Sequence, residues 1–207
     1  MTILVTGVST GLGNSMMKLS IENNAIYGVS RTPIEPNVFS YHKLSEIPCP
    51  DVLILNAAMG DSGFNFLNFN SSEFCEIVQT NMLRPISFFT EMNTLGKLDK
   101  LKELIIIGSR FSSLSYCNEQ SFTDLPGYGY CVSKAGLSVF VNLLRKDSVS
   151  FSVNIIHPGI MKTQLGSETG YDASEVASKL IQKINSGFFS NELMGIYDLM
   201  NDEIIPY

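Results

Sequence analysis

The sequence predicts an α/β fold, a doubly wound parallel sheet with helices on both faces. Three observations carry this. Short runs such as Ile3–Val5, Val52–Leu55 and Leu104–Ile107 are apolar on both faces, as strands buried in a parallel sheet are. Stretches of helical spacing alternate with those runs along the chain. The first run also breaks into a three-glycine turn and then a helix, the order of a phosphate-binding first unit. We read residues 1–207 as one domain ending in a short strand, because a chain of this length buries one proper core.

The elements follow in order. The first strand runs through Ile3–Thr6, and Gly7, Gly11 and Gly13 punctuate the turn before a helix over Asn14–Ile21. Ala25–Ser30 is a second strand, ending at Arg31. The proline-bearing segment Thr32–Pro50 leaves room for a brief strand near Val38–Lys43, without a crossover helix before it. Asp51–Ala58 is a buried strand, Gly60–Asn70 a loop, and a helix spans Ser71–Met92 with a serine cap and Glu73 in its first turn. Leu104–Gly108 is the next strand, followed by a long loop over Ser109–Gly127. A helix over Tyr128–Lys146, a strand over Phe151–Ile156, a helix over Asp172–Ser186 and a last strand near Met194–Asp198 complete the reading.

Composition narrows the function. A net charge of −6 with no basic cluster argues against nucleic acid as a partner. No apolar run reaches the roughly 18–20 residues of a membrane span, so no membrane partner is expected. The N-terminus enters the first strand directly, which points to a cytoplasmic location and to reduced Cys49, Cys75, Cys117 and Cys131. With only His42 and His157, and no paired cysteine spacing, no metal site is expected.

The chemistry concentrates at the ends of the later strands. Tyr130 and Lys134 stand four residues apart, on one face of a helix. A neighbouring ammonium stabilises a phenolate, so the pair makes a tunable proton donor of the kind carbonyl reduction needs. Ser109 ends a buried strand at the sheet edge where open α/β folds bind ligands, and its hydroxyl can donate to a developing alkoxide. Asn81 lies mid-helix, and Pro85 removes the N–H that its carbonyl would use. A kink is expected there, with a carbonyl free to hold a water. His157 reads as a structural strand-end residue, because nothing in the sequence pairs with it.

Assembled in this order, the motifs resemble those of the short-chain dehydrogenase/reductases of the compact, single-domain branch. They are Thr6-Gly7-x-x-x-Gly11-x-Gly13, Asp51-x-Leu53-x-x-Asn56-Ala57, Asn81, Ser109, Tyr130-x-x-x-Lys134 and Pro158-Gly159-x-x-x-Thr163. The resemblance implies a Rossmann-like fold and an NAD(P)-dependent oxidoreductase interconverting a carbonyl and a secondary alcohol. It implies Tyr130 as general acid/base, Ser109 polarising the carbonyl, Lys134 on the nicotinamide ribose, and Asn81 holding a relay water. Cofactor contacts are expected from Gly7, Ser9, Thr10, Gly11, Leu12 and Gly13, and from Arg31, Asn56, Ala57 and Ala58. Tyr130, Lys134, Pro158, Gly159, Ile160 and Thr163 complete the set, Thr163 meeting the carboxamide. A homodimer or homotetramer is implied, its long helices pairing with their copies and Ala135 and Gly136 allowing close approach.

The departures are specific. Leu55 stands where the family has an asparagine before Asn56, and no acidic residue for the adenine amino group is evident near Leu44-Ser45. The segment Gln164–Gly170 is too short for a large lid, so Phe111, Tyr116 and Tyr128 are expected to wall the pocket. Ser30-Arg31-Thr32 follows the second strand where an acid would select NAD(H). The guanidinium there favours the 2′-phosphate of NADP(H), with NAD(H) as the alternative cofactor. The competing readings are a catalytically silent dinucleotide-sensing or protein-interaction relative, and a sugar-nucleotide-modifying relative. The second needs a substrate region for which this chain has no room.

Overall fold

The computed structural model describes residues 1–19, 24–33, 35–60, 66–120, 126–147, 149–162 and 169–207. In chain order the elements are β1 (Thr2–Thr6), α1 (Gly11–Lys18), β2 (Ala25–Ser30), β3 (Val38–Ser40) and β4 (Val52–Leu55). A long helical rod follows, made of α2 (Ser71–Val78), a π turn (Gln79–Leu83) and α3 (Arg84–Thr94). Then come β5 (Glu103–Ile107), α4 (Leu114–Glu119), α5 (Tyr128–Lys146), β6 (Ser152–His157), α6 (Ala173–Asn185), β7 (Ile196–Asp198) and β8 (Glu203–Ile205).

The strands form one eight-stranded sheet in the order β3-β2-β1-β4-β5-β6-β7-β8, parallel except for the antiparallel β7–β8 pair. Alternation along each strand divides the apolar side chains between two cores. Leu4, Leu53, Leu55, Leu104 and Ile106 join Phe88, Phe89 and Met92 of α3 and Leu137 and Val141 of α5 on one face. Ile3, Val5, Ile54, Ile105 and Ile107 join Leu12 and Met16 of α1 and Leu180 and Ile184 of α6 on the other. Both faces are covered, as the apolar runs required. The order reverses between β1 and β4, and ligands bind at such a switch point.

Several boundaries differ from the sequence reading for physical reasons. The first helix starts at Gly11, inside the glycine turn. Asn70, rather than Ser71, caps the next helix, because its side-chain oxygen accepts from the N–H groups of Ser72 (3.1 Å) and Glu73 (3.2 Å). Asp172 occupies its N-cap position without a capping bond, and pairs instead with Lys162 at 3.3 Å. The stretch read as a loop after Ser109 contains a 3-10 turn, Arg110–Ser112, and α4. The terminal strand has an antiparallel partner, β8, that its three residues do not advertise.

Candidate active site

At the sheet's carboxyl edge, the described residues enclose a cleft of about 1400 Å³. Its glycine end is built from backbone. Gly7 has φ +73° and Gly11 has φ +59°, the left-handed region that glycine adopts without cost. A Cβ on Gly7 would stand 2.6 Å from the Cα of Ala57, so β1 and β4 meet there at glycine distance. Asn56 ties the two strands: its N–H donates to Thr6 Oγ1 (3.0 Å) and its Nδ2 to the carbonyls of Thr6 (2.9 Å) and Gly7 (3.1 Å). Leu55, in place of the family's second asparagine, is buried in the core at 3% exposure and takes no part in this.

Helix α1 then presents its N-terminus to the cleft. Thr10 caps it by position but makes no side-chain capping bond, leaving first-turn N–H groups for a ligand. Gly7, Ser9, Thr10, Gly11 and Leu12 all line the cleft. Gly13 does not; it packs behind, where a Cβ would stand 2.4 Å from the Gly7 carbonyl oxygen. Positive helix end, bare amides and glycine-close backbone together fit the pyrophosphate of a dinucleotide. Arg31 lines the cleft beside Ser30, whose buried Oγ has no hydrogen-bond partner, and Asn56, Ala57 and Ala58 form the adjacent wall.

Leu44 is buried away from the cleft, and Glu46 of the same turn, paired with Lys43, is not among the described lining residues. The wall there is Tyr41, packed edge-on to Phe88 at 5.6 Å between centroids. Burial raises the Tyr41 pKa, partly offset by Thr6, by the Gly7 backbone and by the cations Arg31 and Arg84. Tyr41 and Arg84 escaped the sequence reading, because nothing local marks a residue that reaches the cleft from β3 or from α3.

The opposite end gathers Ser109, Tyr130 and Lys134 on the cleft wall. Lys134 is 2% exposed; its Nζ donates to the Ile107 carbonyl (2.9 Å) and lies 5.7 Å from the centre of the Tyr130 ring. Burial lowers its pKa to about 8. Ser109 follows β5, and its Oγ accepts from the Phe111 N–H (3.3 Å) while its own N–H donates to Ser112 Oγ (3.2 Å). Accepting at the oxygen leaves the hydroxyl hydrogen to donate elsewhere.

Asn81 is fully buried within the π turn, where the Arg84 N–H reaches the Gln79 carbonyl across five residues. The expected disturbance at Pro85 therefore appears as a widened turn within a continuous rod. The Asn81 side chain is bolted to Met59, donating to its carbonyl (2.9 Å) and accepting from its N–H (2.8 Å), and Nδ2 also reaches Ser133 Oγ (3.3 Å). It does not line the cleft.

Pro158, Gly159 and Ile160 do line it, with Gly159 at φ +88°. Thr163 lies outside the described residues. Of the three aromatics expected to wall the pocket, Phe111 does so. Tyr116 stacks on Phe111 (5.6 Å) and Tyr128 on Phe69 (6.5 Å), and neither is among the lining residues. Arg110, next to Ser109, and His157, read as structural, line the cleft as well.

No family model matches the chain. It is 22% identical over 195 residues to an NADP-dependent 3-hydroxy acid dehydrogenase of Schizosaccharomyces pombe, covering 79% of this chain and 72% of that protein. It is 29% identical over 86 residues to the short-chain dehydrogenase chyC of Penicillium rubens, covering 42% of this chain and only 33% of that protein. Among solved structures, a carbonyl reductase from Pseudomonas aeruginosa in complex with NADP superimposes with TM-score 0.77 at 18% identity, covering 100% of this chain and 99% of that one. The sequence matches are to short-chain dehydrogenases, and the chain shares the fold of solved short-chain dehydrogenase/reductases, so it is similar to that family in sequence pattern and in architecture.

Proposed function

We propose that this protein is an NADP(H)-dependent carbonyl reductase, interconverting a carbonyl and a secondary alcohol. One observation carries the reading most. A buried ammonium lies against the Tyr130 ring, on the same cleft wall as Ser109 and facing a glycine-lined helix N-terminus. The dinucleotide, when bound, supplies or accepts the hydride. Tyr130 gives its phenolic proton to the substrate oxygen, and the free hydroxyl hydrogen of Ser109 polarises that oxygen. Lys134 holds positive charge beside the phenol, favouring its deprotonated form, and binds the nicotinamide ribose. Asn81, its side chain fixed by Met59, offers its main-chain carbonyl to a relay water. Thr163 is assigned to the carboxamide.

Arg31 selects the cofactor by a charge-assisted contact to the 2′-phosphate, with the unpartnered Ser30 Oγ adding a hydrogen bond. NAD(H) binds more weakly. Tyr41 and Phe88 offer the adenine an aromatic wall in place of the missing acid. A silent relative would have no use for a lysine buried at such cost beneath a tyrosine. The test is a panel of aldehydes and ketones with the purified protein, followed by NADPH and NADH absorbance. Consumption of NADPH in preference to NADH supports the reading; tight NADPH binding without consumption by any carbonyl overturns it.

The chain is assigned as a homodimer or homotetramer. Val132, Val139 and Leu143 make an exposed apolar stripe on α5, 50%, 59% and 56% accessible. Gly136 does not serve this contact: a Cβ there would strike Met82 of the same chain at 2.2 Å. A monomer by sedimentation at micromolar concentration contradicts the assignment. No helix among the described residues is long and apolar enough to cross a membrane. No disulfide joins the four cysteines, which suits a reducing cytoplasm.

A further inference from the structure

The chain has 14 Lys and Arg against 20 Asp and Glu, yet the cleft inverts that balance. Arg31, Arg84, Arg110, Lys134 and Lys162 line it, and Glu91 is the one Asp or Glu among its described lining residues. Four of the cations have an evident task. Arg31 and Arg84 flank Tyr41 toward the glycine end. Lys134 is bonded to the Ile107 carbonyl, and Lys162 is paired with Asp172.

Arg110 is left over. It directly follows Ser109, and its guanidinium stacks against Phe111 (5.4 Å) and Tyr116 (5.2 Å). Its Nε is buried without a hydrogen-bond partner, and no ion pair reaches it among the described residues. The acid on the neighbouring strand, Asp198, is committed elsewhere: it accepts from the N–H groups of Met200 and Asn201 (both 3.1 Å) and from Asn201 Nδ2 (3.0 Å). His157 lines the same cleft, 7% exposed, with Nδ1 also lacking a partner. A partly buried cation without a counter-ion, beside a buried unpaired imidazole nitrogen, is an expense that a ligand anion removes.

We propose that the substrate carries a carboxylate, which Arg110 grips through its forked guanidinium while His157 Nδ1 adds a hydrogen bond. This rests on the carbonyl-reducing reading of Ser109 and Tyr130. The planar guanidinium fork matches the two oxygens of a carboxylate. The charge also fits a monoanion. Burial holds the His157 pKa at about 4, Asp198 opposing and Arg110 and Lys134 reinforcing, so the imidazole is neutral and adds no second charge to that of Arg110. The reaction is unchanged. The carbonyl carbon gains a hydride from the dinucleotide, which is oxidised, and its oxygen gains the Tyr130 proton. The carboxylate is not consumed. Arg110 is thus a specificity residue, set beside the hydroxyl that polarises the reacting bond.

The test pairs each acid with its neutral ester: pyruvate, acetoacetate and levulinate against their methyl esters, with NADPH, in wild type, Arg110→Gln and Arg110→Lys. At least one acid should exceed its ester in kcat/KM by about tenfold or more, the scale of one good ionic contact. In Arg110→Gln that ratio should fall toward one, mainly through KM, and Arg110→Lys should restore part of it. No acid preference in any pair, or an equal loss for acids and esters in Arg110→Gln, overturns the proposal. Calorimetric titration of the NADP⁺-loaded protein with the three carboxylates reads the site without turnover. Binding weakened about tenfold in Arg110→Gln supports it, and absent or unaltered binding overturns it. Ester reduction that needs Tyr130 but shows no acid preference sinks the carboxylate site alone. Carboxylate binding lost in Arg110→Gln, with no probe reduced, sinks the carbonyl reading alone.

Discussion

At the glycine end of the cleft, polar groups are spent mostly on one another: Thr6, Gly7 and Asn56 close a set of bonds between β1 and β4, and glycines bring the backbone within reach of a ligand. At the Ser109 end, the chain buries groups it does not satisfy. Lys134 has one carbonyl partner, while Arg110 Nε and His157 Nδ1 have none. The first end is largely satisfied by its own bonds, the buried Ser30 Oγ excepted. The second stores desolvation cost for a ligand to relieve, a usual origin of the trade between stability and activity. Substitutions should therefore act in opposite senses at the two ends.

The largest effect is expected behind the glycine turn. Gly13→Ala places a Cβ 2.4 Å from the Gly7 carbonyl oxygen and 2.9 Å from Asn56 Nδ2, with backbone on one side that cannot give way. We expect a stability loss of about 3 kcal/mol, typical of overpacking, together with loss of measurable dinucleotide binding by titration. Native melting and affinity in this variant would mean that the turn is looser than its contacts imply.

Lys134 sharpens the other side of the comparison. Its folded pKa of about 8 lies below the ordinary 10.5, so the unfolded chain holds more protons between those values. Stability from this group therefore rises with pH across that window, and the penalty is present in full below about pH 8. It amounts to about 3 kcal/mol, undiminished by solvent because the side chain is buried. Lys134→Met should lose turnover, and its melting temperature relative to wild type should be highest near pH 7 and fall as pH rises toward 10. A difference that stays flat with pH would show that the ammonium is not strained in the fold.

A smaller, selective effect belongs to Arg31→Ala. Loss of an ionic contact to the 2′-phosphate should weaken NADPH binding by about 10–100-fold, or roughly 1–3 kcal/mol, while NADH affinity changes little. Equal losses for both cofactors would remove the selectivity argument.

The same contrast explains what the sequence could disclose. Backbone constraints are written locally: the glycine spacing, strands apolar on both faces and the span of α5 were all legible. So was the irregularity at Pro85, though the missing N–H can be accommodated by a kink or by a π turn, and the residues alone do not choose. Asn70 was overlooked because two serines follow it, each a fair cap by type. The Ser109 end was half legible. Tyr130 and Lys134 sit in a recognisable four-residue spacing. The predicament of Arg110 and His157 depends on β7 and the Met200–Asn201 turn, which meet them only in the folded sheet. An arginine immediately after a proposed catalytic serine was nevertheless a signal that could have been weighed.

The account stands most directly on Tyr130→Phe, which removes one hydroxyl from the Ser109 end and leaves the glycine end untouched. With a carbonyl substrate in hand, single-turnover NADPH oxidation and NADPH affinity should be measured in the same preparation. Turnover should fall by about 10²–10⁴-fold, the worth of a positioned general acid, with NADPH affinity nearly intact. A variant retaining more than about a tenth of wild-type turnover would contradict the proton-donor role and the division of the cleft built on it.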